Sequence, residues 1–235
     1  VFQVGSDDLF KKRHAERRKK EHDFKETKPD SFLIVTEGTR TEPNYFSGLK
    51  RRIEEKYGST VDIQEMPEID IRGEGMATER LIEAADIYVS QGKVMYQNVW
   101  LVFDKDDFPD FDEAIEEGHK RGYRVAWSNQ SFEYWLFLHF SYSDSDLHRH
   151  EWIKKLGELF NAYGLSKNGY SKNMEDLYDK LDSICGVETA IGNAKRRMAG
   201  FVEGRDKPSE YSPGTMVHIL VEQLHSYLKE ICNGS

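Results

Sequence analysis

Four acids stand just beyond apolar segments. Glu37 follows "FLIVT" at 32–36, Asp104 and Asp106 follow "VWLVF" at 99–103, and Glu133 comes shortly after "YRVAW" at 123–127. Carboxylates a few ångströms apart cannot all ionise comfortably, so such a set raises its own pKa values unless a cation intervenes. Hard oxygen donors with room for water suit Mg2+ or Mn2+. An ion held in that way commonly meets phosphate oxygens, neutralising developing charge and activating water. Each acid also has a structural alternative, because acids are common where strands turn into loops and in the first turn of helices. That alternative is the favoured one for Asp107, Asp110 and Asp112 in "DDFPDFDE". For Asp104 and Asp106 the metal reading is favoured, and Glu37 gains weight from its pairing with this Asp-x-Asp. Glu133 can equally be read as a buried helix-start acid paired with a Lys or Arg.

These acids meet only if the segments before them are neighbouring strands running the same way. "SFLIVTEG" (31–38) is β-branched, apolar and ended by Gly, which predicts a buried strand. Thr41, with Pro43 in the next turn, opens a helix to about Tyr57, and Gly58 stops it. "VDIQEMPEIDI" (61–71) predicts a second strand, with Pro67 pointing to an edge or bulge. Met76–Gln91 has helical apolar spacing, 99–103 is a third strand, Ala114–Lys120 is helical and 123–127 is a fourth strand. "SFEYWLFLHF" then starts another helix. The alternation predicts an α/β domain with a mainly parallel sheet flanked by helices. Ligand sites in such sheets form beyond the carboxyl ends of the strands. Adjacent strands lie only ~4.8 Å apart, so acids at adjacent ends come within bridging distance. After residue 150 no further strand is expected. Helices are predicted over Glu151–Tyr163, Asn173–Ile184, Thr189–Glu203 and Thr215–Ile231, with 204–214 as the one long loop. The chain therefore divides into an arm (1–30), an α/β domain (31–140) and a helical extension (141–235).

Net charge is −9 over 235 residues, but it is unevenly spread. Residues 11–28 hold nine Lys/Arg against four acids, a charge of +5 that leaves −14 for the remainder. Such an arm either keeps a helix solvated or contacts phosphate or an acidic partner. The acidic body argues against broad nucleic-acid affinity without help from cations or the arm. No apolar run approaches the ~20 residues of a membrane span, and no signal pattern precedes the arm. Cys185 and Cys232 are far apart and form no disulfide framework or zinc spacing. The expectation is a cytoplasmic protein.

A strand ending in Glu-Gly ("LIVTEG") followed by a later strand ending in Asp-x-Asp ("VFDKD") resembles the TOPRIM fold of topoisomerases, primases and OLD-type nucleases. More narrowly, "EGTRTEPNYF" (37–46), "NQSFEYWLFLHF" (129–140) and the basic arm with "LFKKR" resemble the RloB-like family. The resemblance is most specific over about 10–140. It implies a TOPRIM-like (Rossmann-like) sheet and a role in bacterial anti-phage defence by abortive infection. It also implies an RloA-type ATPase partner. Position by position, it implies Glu37 as general acid/base or metal ligand and Asp104 and Asp106 as metal ligands. Glu42 is either a second-metal ligand or a helix-start acid, and Glu133 matches the family's acid before the aromatic run. Gln130 is a minor departure from the expected pattern.

Elsewhere, Lys167 and Lys172 in "SKNGYSK" are either solvated loop residues or groups that steady a phosphate. "RGEG" (72–75) is a phosphate-loop candidate by glycine content alone. "KRRMAGFVEGRDK" (195–207) reads as a charged helix face or a backbone contact for nucleic acid. His139, Trp127, Trp135 and Phe137 read as core. The leading function is a Mg2+- or Mn2+-dependent nuclease acting on RNA (tRNA included) or DNA, with Glu37, Asp104, Asp106, Glu133 and Lys172 as catalytic candidates. Glu37, Glu42, Asp104 and Asp106 are the metal candidates. A non-catalytic adaptor of a defence complex is the alternative from a different class. A haloacid dehalogenase-type phosphatase with Asp104 as nucleophile is a third reading. It fits less well because its motif normally opens the chain and is followed by a hydroxyl residue.

Overall fold

Side chains alternate across each strand, and over 32–35 and 99–103 both sets are apolar, so the centre of the sheet must be covered on both faces. A computed structural model, which describes residues 30–58, 66–76, 78–106 and 109–229, has that arrangement. Strands β1 (Ser31–Thr36), β2 (Glu68–Gly73), β3 (Asn98–Asp104) and β4 (Arg124–Asn129) are parallel, in the order β2-β1-β3-β4. Between them run α1 (Thr41–Gly58), α2 (Thr78–Gln91) and α3 (Phe111–Lys120). Then follow α4 (Phe132–Leu138), α5 (Arg149–Ala162), α6 (Leu177–Asp182) and α7 (Gly186–Met198). The two-residue β5 (Gly214–Thr215) and α8 (Val217–His225) follow, and a 3-10 turn (Ser226–Leu228) closes the described elements. The architecture is a mostly parallel, Rossmann-like sheet between helical layers.

On one face, Leu33, Val35, Leu101, Phe103 and Val125 pack against Leu81, Ile82 and Ala85 of α2 and Phe111, Ala114 and Ile115 of α3. On the other, Phe32, Ile34, Trp100, Val102 and Ala126 pack against α1 and α4–α8. Tyr45 of α1 lies in this second core, ringed at 5.3–6.3 Å by Phe46, Phe132, Trp135, His139 and Tyr178. The helices after residue 140 therefore share a core with the sheet. Trp152, Leu156 and Phe160 of α5 are fully buried there.

Two expectations need adjustment. β5 pairs antiparallel with β4 (Ser128↔Thr215, Asn129↔Gly214), so strands do not stop at 150. Two residues are too few to show an alternating pattern, and the pairing depends on the 204–214 loop returning to the sheet edge. β2 begins at Glu68, and residues 61–65 of the longer expected strand lie outside the described residues, as do the basic arm, Asp107 and Cys232. The remaining boundaries shift by a few residues: the third C-terminal helix ends at Met198 and the last at His225, where the 3-10 turn takes over.

Candidate functional site: an acidic cleft at the carboxyl edge of the sheet

The carboxyl ends of β1 and β3 lie side by side, with Thr36 opposite Val102. The ladder continues one residue further, where the Glu37 N–H donates to the Val102 carbonyl at 2.8 Å. Glu37 Oε2 in turn accepts from the Asp104 N–H at 3.2 Å. Asp104 Oδ2 accepts from the Phe132 N–H at 2.9 Å, at the first turn of α4. A carboxylate there satisfies an N–H that the helix leaves without an internal partner. Two strand ends and one helix start are thus tied together through Glu37 and Asp104.

Glu42, in the first turn of α1, folds back over the β1–α1 turn. A Cβ at Gly38 would lie 2.0 Å from Glu42 Oε2 and 2.6 Å from its Cδ, so only glycine leaves room for this carboxylate. "RGEG" backs the same turn. Gly73 meets Pro43 and the Gly38 carbonyl, and the Gly75 N–H donates to the Glu37 carbonyl at 2.9 Å. None of its four residues lines the cleft, so its glycines serve close packing here.

The cleft holds about 520 Å³ and is lined by Glu37, Gly38, Glu42, Asp104, Asp106, Ser131 and Glu133 with Arg40, Arg149, His150, Lys172 and Asn173. All five acids singled out from the sequence face one space. Burial pushes the Glu37 carboxyl up to about 7; the Asp104 N–H opposes this and the Asp106 charge adds to it. Burial likewise pushes Glu42 up to about 7. Its own N–H and Lys172 oppose this, while repulsion from Glu133 and Glu37 reinforces it. Asp104 is raised well above the usual carboxylate range by burial and by Glu42 and Glu133, against the Phe132 N–H. These acids repel one another through a poorly solvated space, as a carboxylate cluster without a cation must.

Two acids already have cationic partners. Lys172 Nζ lies 3.0 Å from Glu133 Oε1, to which Tyr170 also donates at 3.3 Å. Burial lowers the Lys172 pKa, but Glu133, Asp104 and Glu42 outweigh it and hold the ammonium charged. Asp106 sits in the left-handed backbone region (φ 38°), which Asp tolerates better than most residues. Its carboxylate pairs with Arg149, the first residue of α5.

Other candidates separate cleanly. Lys167 is exposed and away from the cleft, whereas Lys172 is on its wall. Asp112 accepts from the Ser209 N–H at 2.8 Å and its hydroxyl at 2.5 Å, tying the 204–214 loop to α3. Asp110 caps α3 by position and Trp127, Trp135 and Phe137 are buried, as expected. His139 is a satisfied core residue. Its Nδ1 faces the Trp135 carbonyl at 3.0 Å and so must carry the proton, leaving Nε2 to accept from Tyr45 OH at 3.0 Å. Burial pulls its pKa down to about 4, against hydrogen bonds with the Trp135 and Leu136 backbone, so the ring is neutral. In 195–207 the basic groups are engaged within the chain: Lys195 with Glu222, Arg196 over Tyr142, Arg197 over Tyr211 and Arg205 with Asp206. Sequence reasoning missed Arg149, His150, Tyr170 and Ser131. Only the docking of α5 and the 166–174 loop over the sheet edge brings the first three here.

The donor chemistry suits a hard divalent cation: Glu37, Glu42 and Asp104 offer oxygen only, and their mutual repulsion is what such an ion relieves. The buried Ser131 Oγ on the cleft wall has no hydrogen-bond partner among the described residues. As the side chains stand, no three His, Cys, Asp or Glu among the described residues are gathered in a metal-ligating arrangement. The engagement of Asp106 and Glu133 by Arg149 and Lys172 is consistent with that.

Fold and site together define an α/β protein with an acidic cleft, fringed by cationic side chains, at the carboxyl edge of a parallel sheet. The family model described as RloB-like protein matches residues 32–224, and the chain belongs to the RloB-like family. No curated protein and no solved structure matches it. Among the described residues no helix is long and apolar enough to cross a membrane.

Proposed function

We propose that this chain is a TOPRIM-type, divalent-metal-dependent nuclease, the toxic effector of an anti-phage system restrained by an ATPase partner. The observation that carries the reading is the convergence of Glu37, Glu42, Asp104 and Glu133 on one cleft with Lys172 and Arg149 on its walls. Acids alone suit a cation, cations alone suit a phosphate, and a phosphodiester with its metal needs both. Glu37, Glu42 and Asp104 would hold Mg2+ or Mn2+, which neutralises phosphate charge and lowers the pKa of water. Glu37 would serve either as one of these ligands or, left off the ion with its pKa of about 7, as the group that takes or gives a proton at physiological pH. Lys172, held by Glu133 and Tyr170, offers a positioned ammonium to a phosphate oxygen. RNA and DNA are both open as targets.

The test is incubation of purified protein with Mn2+ and separate RNA and DNA pools, followed by sequencing of the new ends. Strand cleavage by the wild type and its loss in Glu37→Ala is the expected result; equal cleavage by both defeats the reading. One observation favours the adaptor alternative: two of the five acids are already charge-paired within the chain. An adaptor would bind its ATPase partner normally as Asp104→Asn and would cut nothing. The phosphatase reading draws little support, because one oxygen of the required nucleophile Asp104 is committed to the Phe132 N–H.

A further inference from the structure

Three permanently charged cations line the acidic cleft among the described residues: Arg40, Arg149 and Lys172. Lys172 is held by Glu133, and Arg149 is engaged by Asp106 and by a further contact within the chain. Arg40 differs. It is exposed at the rim of the cleft, and its guanidinium has no ion-pair or hydrogen-bond partner among the described residues. It lies in the β1–α1 turn between Glu37 and Glu42, the two acids of that turn that face the cleft. We infer that Arg40 is the residue that anchors the substrate: its guanidinium takes a phosphate of the nucleic-acid strand and sets that strand against the acids. The inference rests on the nuclease reading of the same cleft and adds to it the group that receives the ligand.

Three features support it. A phosphate that meets Arg40 displaces no acid of the chain, whereas at Lys172 or Arg149 it competes with an existing partner. The guanidinium presents a planar fork that matches two phosphate oxygens. The backbone beneath it is fixed at both ends of the turn. The Thr36 hydroxyl donates to the Gly38 carbonyl at 2.8 Å, and the Asn44 N–H donates to the Arg40 carbonyl at 2.9 Å. Thr39 is seated on "RGEG": a Cβ at Gly73 would lie 3.1 Å from the Thr39 Cα, and one at Gly75 would lie 3.1 Å from its Cγ2. The glycines of that stretch thus hold the turn that carries Arg40, although they touch no part of the cleft themselves. Only the arginine side chain has to be ordered when a phosphate binds, which keeps the cost of binding low.

The test follows binding of fluorescent single-stranded RNA and DNA oligonucleotides to the full chain in Ca2+, with KCl varied from about 50 to 200 mM. Arg40→Gln is expected to weaken binding about tenfold, the scale of one charge-assisted contact. It should also reduce the logarithmic salt slope by about 0.7, the share of one phosphate on a single strand. Arg40→Lys should restore the slope. Mn2+ affinity, read by electron paramagnetic resonance without oligonucleotide, should be the same in all three proteins. Wild-type affinity and slope in Arg40→Gln would make Arg40 a solvated surface residue and overturn the inference alone. A slope that Arg40→Lys fails to restore does the same. So does a parallel loss of Mn2+ affinity, since Arg40 would then serve the turn and not the strand. A wild type that binds no oligonucleotide overturns the nuclease reading as well.

Discussion

The carboxylates of the cleft are placed at a cost to the fold, and that cost is measurable. Glu37 and Glu42 have folded pKa values of about 7 against an ordinary 4.5, and Asp104 shifts the same way. A raised acid contributes stability that is whole below its unfolded pKa and lost as pH rises through the folded one. In EDTA the cluster therefore destabilises the protein progressively from about pH 4.5 to about 7. Asp104→Asn removes a charge but keeps an oxygen for the Phe132 N–H. It is expected to be more stable than the wild type at about pH 8, with the gain fading toward pH 5. Chemical denaturation at both pH values checks this, and a pH-independent difference would count against mutual repulsion. Gly38→Ala is a sharper probe of position. Its methyl takes the space of the Glu42 carboxylate, so Mn2+ affinity should fall at least tenfold. Its melting temperature should move little. A large loss of stability with unchanged Mn2+ binding would mean that Gly38 serves the turn and not Glu42.

At the scale of elements, α5 is the piece that completes the site, and its hold on the core decides where Arg149 and His150 lie. Trp152 is fully buried against Tyr134 and Phe137 of α4, with ring centroids 5.1 and 4.9 Å apart. Trp152→Ala is expected to cost about 3–5 kcal/mol in urea unfolding. Trp152→Phe should cost much less and leave oligonucleotide affinity near wild type. If Trp152→Ala leaves that affinity untouched, α5 does not furnish the cleft wall. The same element marks the limit of what the chain's local pattern conveys. Apolar runs ending in Glu37 and Asp104, separated by helical spacing and Gly stops, are enough to predict parallel strands and acids at one edge, because both signals are local. Arg149 carries no such signal. Its partner lies 43 residues away, and its position depends on Trp152, Leu156 and Phe160 packing beneath the sheet. Tyr170 and Lys172 reach Glu133 for a similarly distant reason, although the lysine was legible as one of two candidates. Asp106 was legible as an acid but not as one turned toward a cation.

Over the whole molecule, charge is divided between the basic stretch at 11–28, outside the described residues, and a remainder of −14. An acidic body repels a nucleic acid at long range, so on the nuclease reading the arm supplies encounter and the cleft supplies chemistry. Replacing the arm's Lys and Arg by Gln should weaken oligonucleotide binding and flatten its salt dependence. Mn2+ affinity should stay as it was. A salt slope identical to wild type would mean that the arm does not contact the nucleic acid. On the nuclease reading, acids from the ends of β1 and β3 and the start of α1 act together on one divalent cation. Calorimetric titration of Mg2+ into wild type and Asp104→Asn at about pH 8 tests it most directly. A single binding event is expected in the wild type, weakened at least tenfold by the substitution. Equal affinity in the two proteins would contradict it.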